Sequence, residues 1–188
     1  TEFPYRLSAD HLAFQESAID YCLEVVSKAG DQKKDQRLAF WGTLALMRCV
    51  GSSPAAALSA LRNRASNEAE RLEPQIYDED GDDEDAVDVE PNTIFANDPA
   101  LQGLLDQASS LSVAKDPKLD ALVSALKPLI KAGANPVVFC RYLATAEHVK
   151  EGLRKAFPKL TIEAVTGELT PDERRDRVSE MTIEDGEK

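Results

Sequence analysis

Four times in this chain a capping residue and a proline directly precede a helical pattern: Ser53-Pro54, Asp98-Pro99, Asp116-Pro117 and Thr170-Pro171. The capping side chain accepts from the orphan amides of a first helical turn, and proline suits the first helical position because it has no amide hydrogen to leave unpaired. Four helix starts are therefore fixed before any periodicity is read. The last belongs to a full capping box, with Glu173 three places after Thr170. No internal sequence repeat accompanies the four.

Apolar spacing gives these helices their faces. Ser8 caps a first helix on which Leu12, Ile19, Leu23 and Val26 recur at roughly helical spacing, and Gly30 stops it. A second helix carries Leu38, Trp41, Leu44, Ala45 and Arg48 and ends at Gly51. After Pro54, Ala57, Leu58, Leu61 and Ala65 form a narrow stripe of small residues, which predicts close packing against a neighbouring helix. The Asp98 helix shows Leu101, Leu104, Leu105 and Ala108. The Asp116 helix shows Leu119, Leu122, Val123, Leu126, Leu129 and Ile130, with Pro128 kinking its last turn.

The net charge of −12 is unevenly placed. Residues 1–76 carry 9 Lys and Arg against 10 Asp and Glu, residues 77–113 none against 11, and residues 114–188 13 against 13. The acidity thus belongs to one segment and says little about the other surfaces. That segment opens YDEDGDDEDAVDVEPN. Counted from Asp78, its glycine arrives at the fourth place and Val89 falls at the twelfth, so an EF-hand calcium loop fails on spacing. Repelling like charges with little apolar area predict a solvated linker without fixed structure over 77–97. Cys22, Cys49 and Cys140 are scattered in apolar patterns and read as buried thiols in a reducing cytoplasm, while His11 and His148 have no partner at metal-ligand spacing and read as ordinary helix residues. Nothing addresses the chain to a membrane or for export.

After Gly133 the grammar changes. VVFC, residues 137–140, has the continuous hydrophobicity of a strand buried on both faces. Ala146, Val149, Leu153, Ala156 and Phe157 follow at helical spacing, Pro158 ends that helix, and TIEAV supplies a second strand before Thr166-Gly167. A strand, helix and strand of this length predict a right-handed parallel crossover. Working residues in such sheets lie just beyond the carboxyl ends of the strands. Arg141, Tyr142 and Thr145 hold the first of these ends, Thr166 and Gly167 the second.

DPKLDALVSALKPL, then NPVVFCRYLATAEHVKEGL, then IEAVTGELTPDERRDRVSEM resembles the start of the second RecA-like lobe of superfamily two helicases, particularly the Swi/Snf-type translocases. Asp116, Lys118, residues 137–140, Thr145, Thr166, Gly167, Glu173 and Arg174 carry the match, and RCVGSSPAAALSAL resembles the helical segment before that lobe in the RapA-like branch. The resemblance implies an α/β fold: a helical segment over 1–76, the linker, and over 98–188 the first parallel β-α-β part of a RecA-like lobe. It also implies a parent that is an ATP-dependent DNA translocase using ATP and magnesium. DNA would then be held through its phosphates by Arg141, Tyr142, Thr145, Thr166 and Gly167, and other protein subunits by the helical segment. The sequence departs from the family in having no GxxxxGK[ST] loop, no DExx-type motif and none of the later arginine-bearing motifs. No ATP chemistry is assigned to any residue present, and the expectation is a piece of a larger cytoplasmic enzyme that is inactive alone.

Blander roles stand beside these. Arg141 reads equally as an exposed loop residue, Tyr142 as packing at a sheet edge, Thr145 as the cap of the next helix, Gly167 as a positive-φ or close-approach glycine, and Arg174 and Arg175 as a solvated face. Two rival functions also remain. One is a non-enzymatic helical interaction module whose acidic linker mimics nucleic acid. The other is a small-molecule Rossmann-like domain, against which stands the lack of a glycine-rich loop after either strand.

Overall fold

The computed structural model describes residues 2–30, 33–65, 98–113 and 116–183. The acidic stretch and the linker expected over 77–97 lie outside them. Among these described residues seven helices follow in order: α1 (Ala9–Lys28), α2 (Lys33–Ser52), α3 (Pro54–Ala65), α4 (Pro99–Val113), α5 (Pro117–Lys131), α6 (Leu143–Ala156) and α7 (Pro171–Ile183).

The caps expected at Ser8, Ser53, Asp98, Asp116 and Thr170 are all made. The Ser8 hydroxyl accepts from the His11 amide at 3.3 Å, Ser53 from Ala56 at 3.1 Å, and Asp98 from Ala100 at 2.9 Å. In the capping box the Thr170 hydroxyl accepts from the Glu173 amide at 3.3 Å, and the Thr170 amide donates back to the Glu173 carboxylate at 2.7 Å. The Thr170 amide and the Thr170 hydroxyl, both donating to it, hold the Glu173 carboxyl below the usual carboxylate range. α5 ends at Gly133, whose φ of 80° admits no side chain without strain. The Gly133 amide reaches Ile130 O at 2.9 Å and the Ala134 amide reaches Leu129 O at 3.1 Å, so the last carbonyls are satisfied in a Schellman arrangement.

Helices α1 to α4 pack around one core made of Phe14, Ala18, Tyr21, Cys22 and Val25 from α1, Leu46 and Val50 from α2, Leu58 and Leu61 from α3, and Leu101, Leu104 and Leu111 from α4. Small residues let the helices approach: Ala57 and Ala108 are fully buried where α3 meets α4. The faces expected for α3 and α4 are those observed. For α1 the expected face is overturned, because Leu12, Ile19 and Leu23 are 50%, 44% and 64% exposed and the buried stripe runs one step round the helix. Likewise Trp41 of α2 is half exposed, and Ala39, Thr43, Leu46 and Val50 face inward.

The RecA-like α/β expectation is contradicted. Among the described residues there is no strand and no sheet, and the chain is helical. Residues 137–140 and 161–165 have no regular secondary structure, and Val137 and Phe139 are 75% and 93% exposed rather than buried on two faces. The reason lies in α6, whose apolar side packs on α3 and α5. A crossover helix must instead lay that side on its own sheet. With no neighbouring strand to exchange backbone hydrogen bonds, the two runs remain connectors.

Candidate nucleic-acid interface

The cap of α5 is the centre of a polar cluster. One carboxylate oxygen of Asp116 accepts from the amides of Lys118 at 2.8 Å and Leu119 at 3.3 Å, and the other meets His148 Nε2 of α6 at 2.9 Å. Burial alone raises the Asp116 carboxyl, but the His148 contact and the two amides outweigh it and leave its pKa below the ordinary value. A buried carboxylate is tolerable on these terms because each oxygen is hydrogen-bonded.

Three hydroxyls lie beside it. Thr145 Oγ1 is 2.8 Å from both Ser52 Oγ and Ser53 Oγ, and so ties the first turn of α6 to the α2–α3 junction. The junction is held a second time by Lys118, whose ammonium donates to Gly51 O at 2.9 Å and Ser52 O at 3.0 Å. Thr145 therefore does not cap α6; its hydroxyl is engaged with Ser52 and Ser53. The N-cap of α6 is Tyr142, which makes no side-chain cap bond.

These groups edge an open cleft of about 360 Å³ lined by residues of the α2–α3 junction, α5, the connector 138–141 and α6. Leu119, Leu122, Val138 and Val149 form its apolar part; Lys118, Arg141 and His148 stand among its polar groups. No family model matches the chain. No curated protein and no solved structure is significantly similar to it.

Of the five residues expected at an interface, Arg141 and Thr145 line the cleft and the other three do not. Arg141 is exposed. Tyr142 is 7% exposed and packs beside the Cys49 thiol; its hydroxyl is enclosed without a well-directed hydrogen bond, and burial together with that thiol pushes its pKa up to about 12. It is a packing residue, beside a helix and not at a sheet edge. Thr166 and Gly167 sit in the turn before α7, where the Thr166 carbonyl accepts from the Leu169 amide at 3.3 Å. The positive φ expected at Gly167 occurs at Gly133.

A close approach is made at Gly152 of α6, where a Cβ would run into Leu119 Cδ2 of α5. The sequence reading missed Phe139, and His148, taken as an ordinary helix residue, proves to be the partner of a cap 32 residues away. Spacing gives no warning of a pair so distant. The three thiols are free; burial of Cys22 raises its pKa to about 11. Among the described residues no three His, Cys, Asp or Glu side chains converge as a metal site, and no helix is long and apolar enough to cross a membrane.

Proposed function

We propose that this chain is part of an ATP-dependent DNA translocase of the Swi/Snf type, and that its share of the work is to hold the nucleic-acid backbone at the cleft beside α6. One observation supports the reading most. Asp116, Lys118, residues 138–140 and Thr145, which carry the resemblance, come from well-separated stretches and line one cleft together with Arg141. A guanidinium and an ammonium at its edge suit phosphate oxygens by charge, and α6 starts there without a side-chain cap. Contacts of this kind position a strand without reading its sequence. ATP and magnesium belong to parts of the motor that supply the missing phosphate loop.

The test is DNA affinity against salt concentration. Arg141→Ala should weaken binding about equally across DNA sequences and lower the salt slope by roughly one counterion. Unchanged affinity with an unchanged slope overturns the reading.

A second reading has its own support. Leu12, Ile19 and Leu23 on α1, and the edge-to-face pair Phe40 and Trp41 on α2, are apolar yet about half exposed. That surface suits a helical protein-interaction module. If Leu23→Glu abolishes capture of a partner while Arg141→Ala leaves DNA affinity intact, the interaction module is the better account.

A further inference from the structure

The cleft has a wall that phosphate contact does not explain. Phe139 lines it while remaining 93% exposed, and it stands two residues before Arg141 on the same connector. Burying a phenylalanine side chain is worth about 1.5–3 kcal/mol, and a ring this open at the wall of a cleft has nearly its whole apolar area available to a ligand. Its neighbours narrow the partner's chemistry. Lys118 is fixed at the edge by its bonds to Gly51 O and Ser52 O, which take two of the three hydrogens of an ammonium, and Arg141 is exposed beside it. The one carboxylate in the lining, Asp116, is already engaged by two backbone amides and His148. An exposed aromatic ring next to cationic side chains is the pairing by which proteins grip unpaired strands, since every base has a π-face and the backbone supplies the charge. Bases inside a duplex have both faces covered by their neighbours and leave only edges in the grooves.

We propose, resting on the phosphate-holding reading above, that the cleft takes one unpaired nucleotide of a single strand, with its base stacked on Phe139 and its phosphate at Lys118 and Arg141. The volume of about 360 Å³ suits a single nucleotide. The side chains of Leu119, Leu122 and Val149 give the base an apolar surround.

Fluorescence anisotropy with the whole chain tests this, using a labelled oligothymidine and a labelled duplex of equal length. The single strand should bind more tightly. Phe139→Ala should lower single-strand affinity by about 5- to 100-fold, the range that loss of one base–aromatic stack gives, and leave duplex affinity and the salt slope unchanged. Phe139→Trp should restore the affinity. Circular dichroism should show the same melting midpoint for all three proteins, because the ring makes little contact with the fold. Equal binding of strand and duplex, with no effect of Phe139→Ala, overturns the nucleotide site while leaving the phosphate reading standing. Salt-sensitive binding to neither probe overturns both. A Phe139→Ala change that alters only self-association in sedimentation assigns the ring to a protein interface and likewise overturns the proposal.

Discussion

The Asp116 carboxylate and His148 Nε2, 32 residues apart in the chain, meet at 2.9 Å and join the start of α5 to α6. Their contact does two things at once, because the same carboxylate caps α5. Because its folded pKa is depressed, Asp116 contributes stability that is fully present above the unfolded value of about 3.9 and is lost as the pH falls through the lower folded value. Asp116→Asn keeps a cap acceptor and removes the charge. Urea unfolding as a function of pH should then show a shallower loss of stability below about pH 4 than in the wild type, and a cost of about 1 kcal/mol at neutral pH. Parallel acid limbs would show that the stabilising charge lies elsewhere.

The shared hydroxyls of Ser52, Ser53 and Thr145 make a sharper structural prediction. Thr145→Val keeps the shape and leaves buried oxygens short of a partner, so it should destabilise by about 1–3 kcal/mol. Thr145→Ser keeps the hydroxyl and should cost less than half as much. If that hydroxyl serves only its two protein partners, Thr145→Val should not change DNA affinity at temperatures where it stays folded. A loss of binding by folded Thr145→Val that Thr145→Ser does not share would give the hydroxyl to the ligand.

Gly152 and Leu119 should be strongly coupled. In α6 an alanine is intrinsically better than glycine by about 1 kcal/mol, yet its Cβ would run into Leu119 Cδ2 and lie 3.0 Å from Leu119 Cγ. Rotation about the leucine Cβ–Cγ bond moves its ends but not its Cγ, so clearing Cγ needs a change of χ1 as well. Gly152→Ala should therefore destabilise the wild type by about 1 kcal/mol, whereas in a Leu119→Ala background the same change should stabilise by up to about 1 kcal/mol. Chemical denaturation of the four proteins checks the sign reversal; additive effects would mean that α5 and α6 are not held this close.

What the sequence could show was whatever is decided locally. A cap needs only its own first turn, so Ser8, Ser53, Asp98, Asp116 and Thr170 were all legible. The faces of α3 and α4 were legible because only one stripe on each is apolar. On α1 two stripes compete, and nothing local says that Phe14 and Tyr21 win over Leu12 and Leu23. The strands were misread for a related reason: VVFC describes a segment's hydrophobicity, while a strand also needs a neighbour, and α6 had two helices to pack on instead. At the cleft, Arg141 was visible from the match to a motif. His148 and Phe139 acquire meaning only once α5, α6 and the connector are brought together.

The two stripes of α1 can be told apart by truncation. Val25 is 2% exposed in the four-helix core and Leu23, two residues earlier, is 64% exposed. Removing methyl groups from a packed site loses their transfer energy and leaves a cavity, whereas on an open surface neither term applies. Val25→Ala should lower stability by about 1–3 kcal/mol, and Leu23→Ala should stay within about 0.5 kcal/mol of wild type. Thermal and urea unfolding at low protein concentration measure both. A large cost at Leu23 that grows with protein concentration would mean that the outer stripe is covered by a second copy, and a large cost independent of concentration would mean that the stripe expected from periodicity is the true core face.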